Sequence, residues 1–247
     1  MNAFDYKDSP YPIRNDISEA HRVYWSRLAS PGSWWTGAER VAIAAEWRAA
    51  RHCSFCAERK QALSPYTGED RHEPGSDLPT RVVDAVHRIV NDQTRITRGW
   101  IESNADSGLS VEAFVELSGI VVAVLSIDEF HRALGLPLEA FPEPKVGEPD
   151  HYRPMNLAHD TGFVPMISRD GAVGNEADLW TQGFSANVLR ALSLVPDAVR
   201  AWKDLSGAQY LSVQGMGNFV GQDDRSIDRA QMEIVAGRVS SYNECFY

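Results

Sequence analysis

Residues 108–135 read GLSVEAFVELSGIVVAVLSIDEFHRALG, and this stretch decides the fold class. Apolar residues recur at helical spacing from Val111 onward, Ser110 stands where a helix needs its N-cap, and Gly135 followed by Pro137 ends the pattern. The longest apolar run inside it, 119–127, is too short to cross a bilayer and contains Ser126. A long buried helix is the expectation, and a helix apolar over that length needs other helices to cover it. Outward from it the same period continues. Helices are expected over 16–28, 37–63, 81–91 and 95–103 on one side, with Thr80 as the cap of the third. On the other side they are expected over 186–194, 197–211 and from Arg229 onward. No comparable set of alternating strands competes, so the chain reads as all-α.

Between the two helical regions lies a proline-rich connection beginning PLEAFPEPKVGEPDHYRP, expected to pack as it crosses, and a glycine-rich loop, QGMGNFVGQDD, precedes the last helix. The expected organisation is a first helical unit over 1–140, a connecting segment over 141–183 and a second, shorter helical unit over 184–247. The halves share a weak repeat. Thr36-Gly-Ala-Glu39 and Asp228-Arg-Ala-Gln231 both have the form of a capping box, and each lies seventeen positions before a cysteine, Cys53 and Cys245. Upstream, Trp25-Ser-Arg-Leu28 is echoed by Trp202-Lys-Asp-Leu205. Trp25, Trp34, Trp35 and Trp47 supply large apolar area to the first helices, and core is their expected place.

Composition narrows the function classes. The 247 residues can bury a core without staples, and the 13 prolines and 18 glycines are not gathered in a low-complexity tract. A net charge of -10, without a basic stripe, disfavours nucleic acid. The polar, acidic start MNAFDYKDSPYPIRND lacks the basic and apolar regions of an export signal. Three cysteines, two of them in one Cys-x-x-Cys, fit a reducing compartment better than a secreted disulfide framework. A cytoplasmic protein without a membrane partner is the expectation.

The chemistry centres on AARHCSFCAERK, residues 49–60. Read as one continuous helix, it puts Cys53 and Cys56 one turn apart on a single face, the geometry of a dithiol couple. Arg48, Arg51, His52, Arg59 and Lys60 add positive charge that favours thiolate, opposed in part by Glu46 and Glu58. The alternative is a pair of small buried side chains, since free cysteine packs as a hydrophobe. Glu46, two turns before Cys53, either handles a proton at the thiols or pairs with Arg48 or Arg51. His87, in DAVHRIVND, either transfers protons over the thiols or packs as a satisfied core histidine. His131 is expected at the solvated end of the long helix. No second Cys-x-x-Cys and no His-x-x-x-His is present. His72 and His87 are the imidazoles available to a metal, and neither metal nor cofactor is expected.

At the far end, QMEIVAGRVSSYNECFY places Glu233 twelve positions before Cys245. The pattern Glu, eleven residues, Cys, two residues, Cys, three residues, His is the signature of the alkylhydroperoxidase D and carboxymuconolactone decarboxylase superfamily, and the chain resembles it up to Tyr247. The 108–135 stretch resembles the long helix after the catalytic helix in its peroxidase-related members. The resemblance implies a duplicated all-helical bundle with the second copy cut short, and a homo-oligomer. It implies Cys56 as the thiol that attacks peroxide, Cys53 as the resolving thiol, and a Glu and a His that relay protons. Val41 and Lys60 stand where the first unit should carry those last two, which leaves Glu46 or Glu39 as the substitute carboxylate, and Glu46 is preferred because Glu39 already serves the capping box. The second unit matches at Glu233 and Cys245 alone, and the stop at Tyr247 is explained either by an authentic truncation that leaves Cys245 as a structural or regulatory thiol or by a UGA codon read as selenocysteine.

The expected activity is that of a thiol-dependent, cofactor-free peroxidase, an antioxidant oxidoreductase that takes a small hydroperoxide and is restored by an external thiol reductant. A cofactor-free decarboxylase, which would not require Cys53 and Cys56, and an inactive helical scaffold are the alternatives.

Overall fold

Thr36 sets the first boundary that matters to the site. Its backbone is extended, its hydroxyl accepts from the Glu39 N–H, and the Glu39 carboxylate accepts from the Thr36 N–H at 2.9 Å, so both ends of the capping box are closed. The computed structural model describes residues 3–62, 71–181, 183, 185–217, 225–243 and 245, and within them the chain is mostly helical. The first five helices are α1 (Asn15–Ala29), α2 (Gly37–Ala50), α3 (Ser54–Gln61), α4 (Thr80–Asn91) and α5 (Arg98–Ala105). They are followed by α6 (Val111–Ala133), the short α7 (Asn187–Arg190), α8 (Pro196–Gln209), the short α9 (Val213–Met216) and α10 (Arg229–Tyr242). A two-residue antiparallel pair, β1 (Leu157–Ala158) with β2 (Met166–Ile167), interrupts the connection, with Leu157 opposite Ile167. Among the described residues no helix is long and apolar enough to cross a membrane.

The long helix behaves as its sequence predicts. Ser110 accepts from the Ala113 N–H at 3.1 Å, and Gly135, at φ 69°, takes the left-handed conformation that releases the chain after α6. Buried Leu117, Ile120, Val121, Val124 and Ile127 pack with Leu28 of α1, Ile43 and Trp47 of α2, and Val82 and Val86 of α4. Two ion pairs tie α6 to α2. Asp128, almost fully buried, accepts two hydrogen bonds from Arg48 at 2.8 and 2.9 Å, and Glu116 pairs with Arg40 while also accepting from the Trp34 N–H.

The proline-rich connection runs back over the bundle. Trp25 Nε1 donates to the Ala140 carbonyl at 2.8 Å, Phe141 stacks on Trp25, and the Arg48 guanidinium lies 3.9 Å from the Phe141 ring centre. A second, smaller core gathers Ile167, Leu179, Trp180, Leu189 and Val199, with buried Arg190 donating to the Ile167 carbonyl at 2.9 Å. Helix α8 lies against α1 and α6, and Leu205 enters the main core.

Several boundaries differ from the expectation. The 37–63 helix is broken at Arg51 and His52, Cys53 starts α3 as its N-cap, and Leu63 lies outside the described residues. Thr80 is the first helical residue and not the cap; Pro79 holds that position, and no side chain caps the helix. The 186–194 helix shrinks to α7, and residues 218–224 of the glycine-rich loop lie outside the described residues. His131 is 3% exposed, with Nδ1 3.0 Å from the Ile127 carbonyl and its ring against Phe4. Residue 4 folds back over the end of α6 and buries what would have been its solvated tip.

Candidate active site

The break before α3 brings the thiols into the core. Cys53 has extended backbone at φ -69° and ψ 118°, while its carbonyl already accepts from the Ala57 N–H at 3.2 Å. Cys56 follows in the first turn of α3, and both are buried free thiols. Phe55 covers them from their own helix.

Two imidazoles close on the sulfurs. From α4, His87 places Nδ1 3.3 Å from Cys56 Sγ. From the segment before α4, His72 places Nδ1 3.5 Å from Cys56 Sγ and 3.8 Å from Cys53 Sγ. Their ring centres are 4.1 Å apart. Behind each imidazole stands a carboxylate. His87 Nε2 is 2.8 Å from Glu46 Oε1, both side chains fully buried, and His72 Nε2 is 2.9 Å from Asp84 Oδ1. With Nε2–H donated to a carboxylate, each neutral ring turns the lone pair of Nδ1 toward the sulfurs.

The carboxylates are themselves held. Glu46 accepts from the Ser76 hydroxyl at 2.5 Å and from the Gly75 N–H at 3.0 Å. Gly75 must be glycine for this contact, because a Cβ there would stand 2.4 Å from the Ala49 Cβ on α2. Burial pushes the Glu46 pKa up, but hydrogen bonds from His87, Ser76 and Gly75 outweigh it, and the net shift is down. Asp84 accepts from Arg88 at 2.6 Å and Arg59 at 3.0 Å. Burial acts upward there too, yet His72, Arg88 and Arg59 hold the carboxyl far below the usual carboxylate range.

Positive charge does not dominate the thiols as the sequence had led us to expect. Arg48 and Arg51 turn to Asp128 and Glu129 on α6, which also removes them as ion-pair partners of Glu46. Burial pushes the Cys56 thiol up to about 12, and neighbouring Cys53 adds to the rise. Arg59 and a hydrogen bond with Asn91 oppose the shift without reversing it.

Of the residues singled out from sequence, Cys53, Cys56, Glu46, His72 and His87 meet here. Glu233 and Cys245 take no part in the cluster. Glu233 is exposed on α10 and accepts from Tyr210 at 2.7 Å and Arg229 at 2.6 Å, while Cys245 is exposed with its sulfur 4.0 Å from the Asn243 carbonyl. Tyr247 lies outside the described residues. Sequence reasoning missed Asp84, Gly75 and Ser76. Only Asp84 left a signal, standing one helical turn before His87 among basic residues. Set against protein-family models, curated proteins and solved structures, the chain matches none.

Proposed function

We propose that the protein is a thiol-dependent peroxidase-like oxidoreductase of the alkylhydroperoxidase D type, working through Cys53 and Cys56. The observation that carries this reading is the buried line from Cys56 Sγ to His87 Nδ1 at 3.3 Å and from His87 Nε2 to Glu46 at 2.8 Å. A thiol, an imidazole and a carboxylate in that order form an activated nucleophile with its base and the group that orients the base. Glu46 and His87 come from α2 and α4, and they supply the two functions for which Val41 and Lys60 are unsuited.

The thiol of Cys56 is protonated at neutral pH in its buried setting, so attack needs a base already in contact. His87 Nδ1 takes the thiol proton as Cys56 Sγ forms a bond to the distal peroxide oxygen and the O–O bond breaks. The proton then goes from His87 to the departing alkoxide. The products are a sulfenic acid at Cys56 and an alcohol. Cys53 attacks the sulfenic sulfur, the S–S bond forms, and the hydroxyl leaves as water with the Cys53 proton. An external dithiol then reduces the disulfide and becomes a disulfide itself. Overall, one hydroperoxide and one dithiol give alcohol, water and the oxidised dithiol.

Peptide mapping after one equivalent of hydroperoxide tests the reading on reduced, metal-free protein. The expected result is a Cys53–Cys56 disulfide with Cys245 left free. Loss of Cys245 instead, or retention of both buried thiols, would overturn it.

A further inference from the structure

We propose that Cys53, Cys56, His72 and His87 form a tetrahedral binding site for Zn2+, occupied when the two cysteines are reduced. Four soft or borderline ligand atoms from four side chains all lie within 4.8 Å of one another. Zinc bonds of about 2.3 Å to sulfur and about 2.0 Å to imidazole nitrogen give tetrahedral S···N edges of about 3.5 Å. The three recorded S···N separations are 3.3, 3.5 and 3.8 Å. Those three edges match a zinc tetrahedron, and the remaining separations, all within 4.8 Å, leave only a small closing movement for the metal to draw the four atoms together.

A second feature points the same way. Each imidazole offers Nδ1 to the cluster and gives Nε2 to a carboxylate, His87 to Glu46 and His72 to Asp84. This carboxylate–histidine arrangement fixes the tautomer, orients the ring and strengthens the nitrogen as a donor to a metal. A two-residue proton relay needs one such histidine. His72 and Asp84 have no part in the peroxide chemistry above, and zinc gives both a purpose. The residue set of two thiols and two imidazoles in a closed, buried geometry selects zinc over the harder Mg2+ and Ca2+.

Binding converts both thiols to thiolates and releases two protons, leaving a centre in which two sulfur charges balance the cation. Binding itself is independent of the peroxidase reading, whereas release of the metal rests on it. One hydroperoxide and two protons convert the two zinc-bound thiolates to the disulfide, yielding alcohol, water and free Zn2+. A disulfide cannot hold the ion, so the reduced site is capped by metal and oxidation uncaps it.

The test uses the full chain, reduced and stripped with a chelator, then titrated with CoCl2 and separately with ZnCl2. One equivalent of Co2+ should give the intense visible bands and the sulfur-to-cobalt charge-transfer band of a tetrahedral S2N2 site, and one equivalent of Zn2+ should bleach them. Asp84→Asn should weaken zinc binding by roughly 10–100-fold, the usual loss for a partner behind a histidine ligand. Absence of a tetrahedral cobalt spectrum in the unmutated protein, or one that persists in His72→Ala at unchanged affinity, overturns the site. The two proposals fail separately. If the metal-free protein forms its disulfide with peroxide but takes no Co2+ or Zn2+, the zinc site falls and the oxidoreductase stands. If metal binds one to one and peroxide never yields the disulfide, the zinc site stands and the oxidoreductase falls.

Discussion

At the scale of single residues, Glu46 shows how neighbours decide between two readings of one side chain. It is seven positions before Cys53, yet it reaches the thiols through His87 on another helix and not along its own helix face. Glu46→Gln should keep the fold and slow peroxide consumption by the metal-free protein roughly a hundredfold, in the range for a lost acid or base, as read by stopped flow. Full activity in a folded variant would remove Glu46 from the mechanism. Cys56→Ser should abolish consumption, while Cys53→Ser should stop at a sulfenic acid on Cys56, seen by dimedone labelling. Equal residual turnover in both would refute the assigned roles.

His21 makes a different residue-scale prediction. It is fully buried between Phe4, Phe130 and Tyr6, near His131, with the Gln209 amide donating to Nε2 at 2.9 Å and Nδ1 meeting the Tyr6 hydroxyl. Burial first, and His131 second, lowers its pKa to about 3. The unfolded chain takes up this proton near pH 6.5 and the folded chain does not, so the contribution to stability is complete above about 6.5 and is lost as pH falls toward 3. Urea titrations should show this as up to about 1.4 kcal/mol per pH unit in that window. His21→Gln should flatten the dependence; an unchanged slope would place the acid sensitivity in other groups.

At the scale of elements, the register between α2 and α6 rests on charge as well as packing. Asp128 is almost fully buried and satisfied by both Arg48 bonds. Asp128→Ala leaves the partly covered guanidinium without its partner, and the expected cost is about 3–5 kcal/mol, read as a fall in the urea midpoint. Replacing both partners with well-packed apolar residues should recover much of that loss. A small effect from the single substitution would mean that Arg48 simply turns to water. Because α2 carries Glu46, slippage there should also show up as slower thiol oxidation.

At the scale of the whole molecule, the question is whether residues after the connection fold with those before it. Helix α8 packs on α1 and α6, Arg27 pairs with Asp204 at 2.8 Å, and Gln209 reaches both His21 and the Ser126 carbonyl. Amide exchange in α8 should therefore be as slow as in α6, since opening either exposes the same core. In α10, Met232 is buried while Ile234, Val235, Val239 and Tyr242 are exposed, and its amides should exchange at least about a hundredfold faster. Fast exchange in α8 together with α10 would instead make the later residues a unit of their own.

The sequence by itself determined what depends on neighbours a few positions apart. Helical period, the capping boxes at Thr36 and Asp228, the Ser110 cap and the Gly135 stop are local physics, and the all-α character follows from them. The break at 51–53 was hidden because Arg51 and His52 carry no strong stop signal, and the position of Cys53 at a helix start is fixed by what it packs against. Tertiary structure alone decided the site. Cys56 lies 31 positions from His87, Glu46 lies 41 from it, and no period or motif links residues at such separations. Their meeting requires α4 to cross α2 with Gly75 pressed against Ala49, and His72 is delivered by a segment with no regular period at all. Burial reversed the sequence expectation at Cys56 for the same reason. Counting arginines along the chain gives a positive environment, but Arg48 and Arg51 are turned to α6, and the burial of Cys56 outweighs the Arg59 that remains near it.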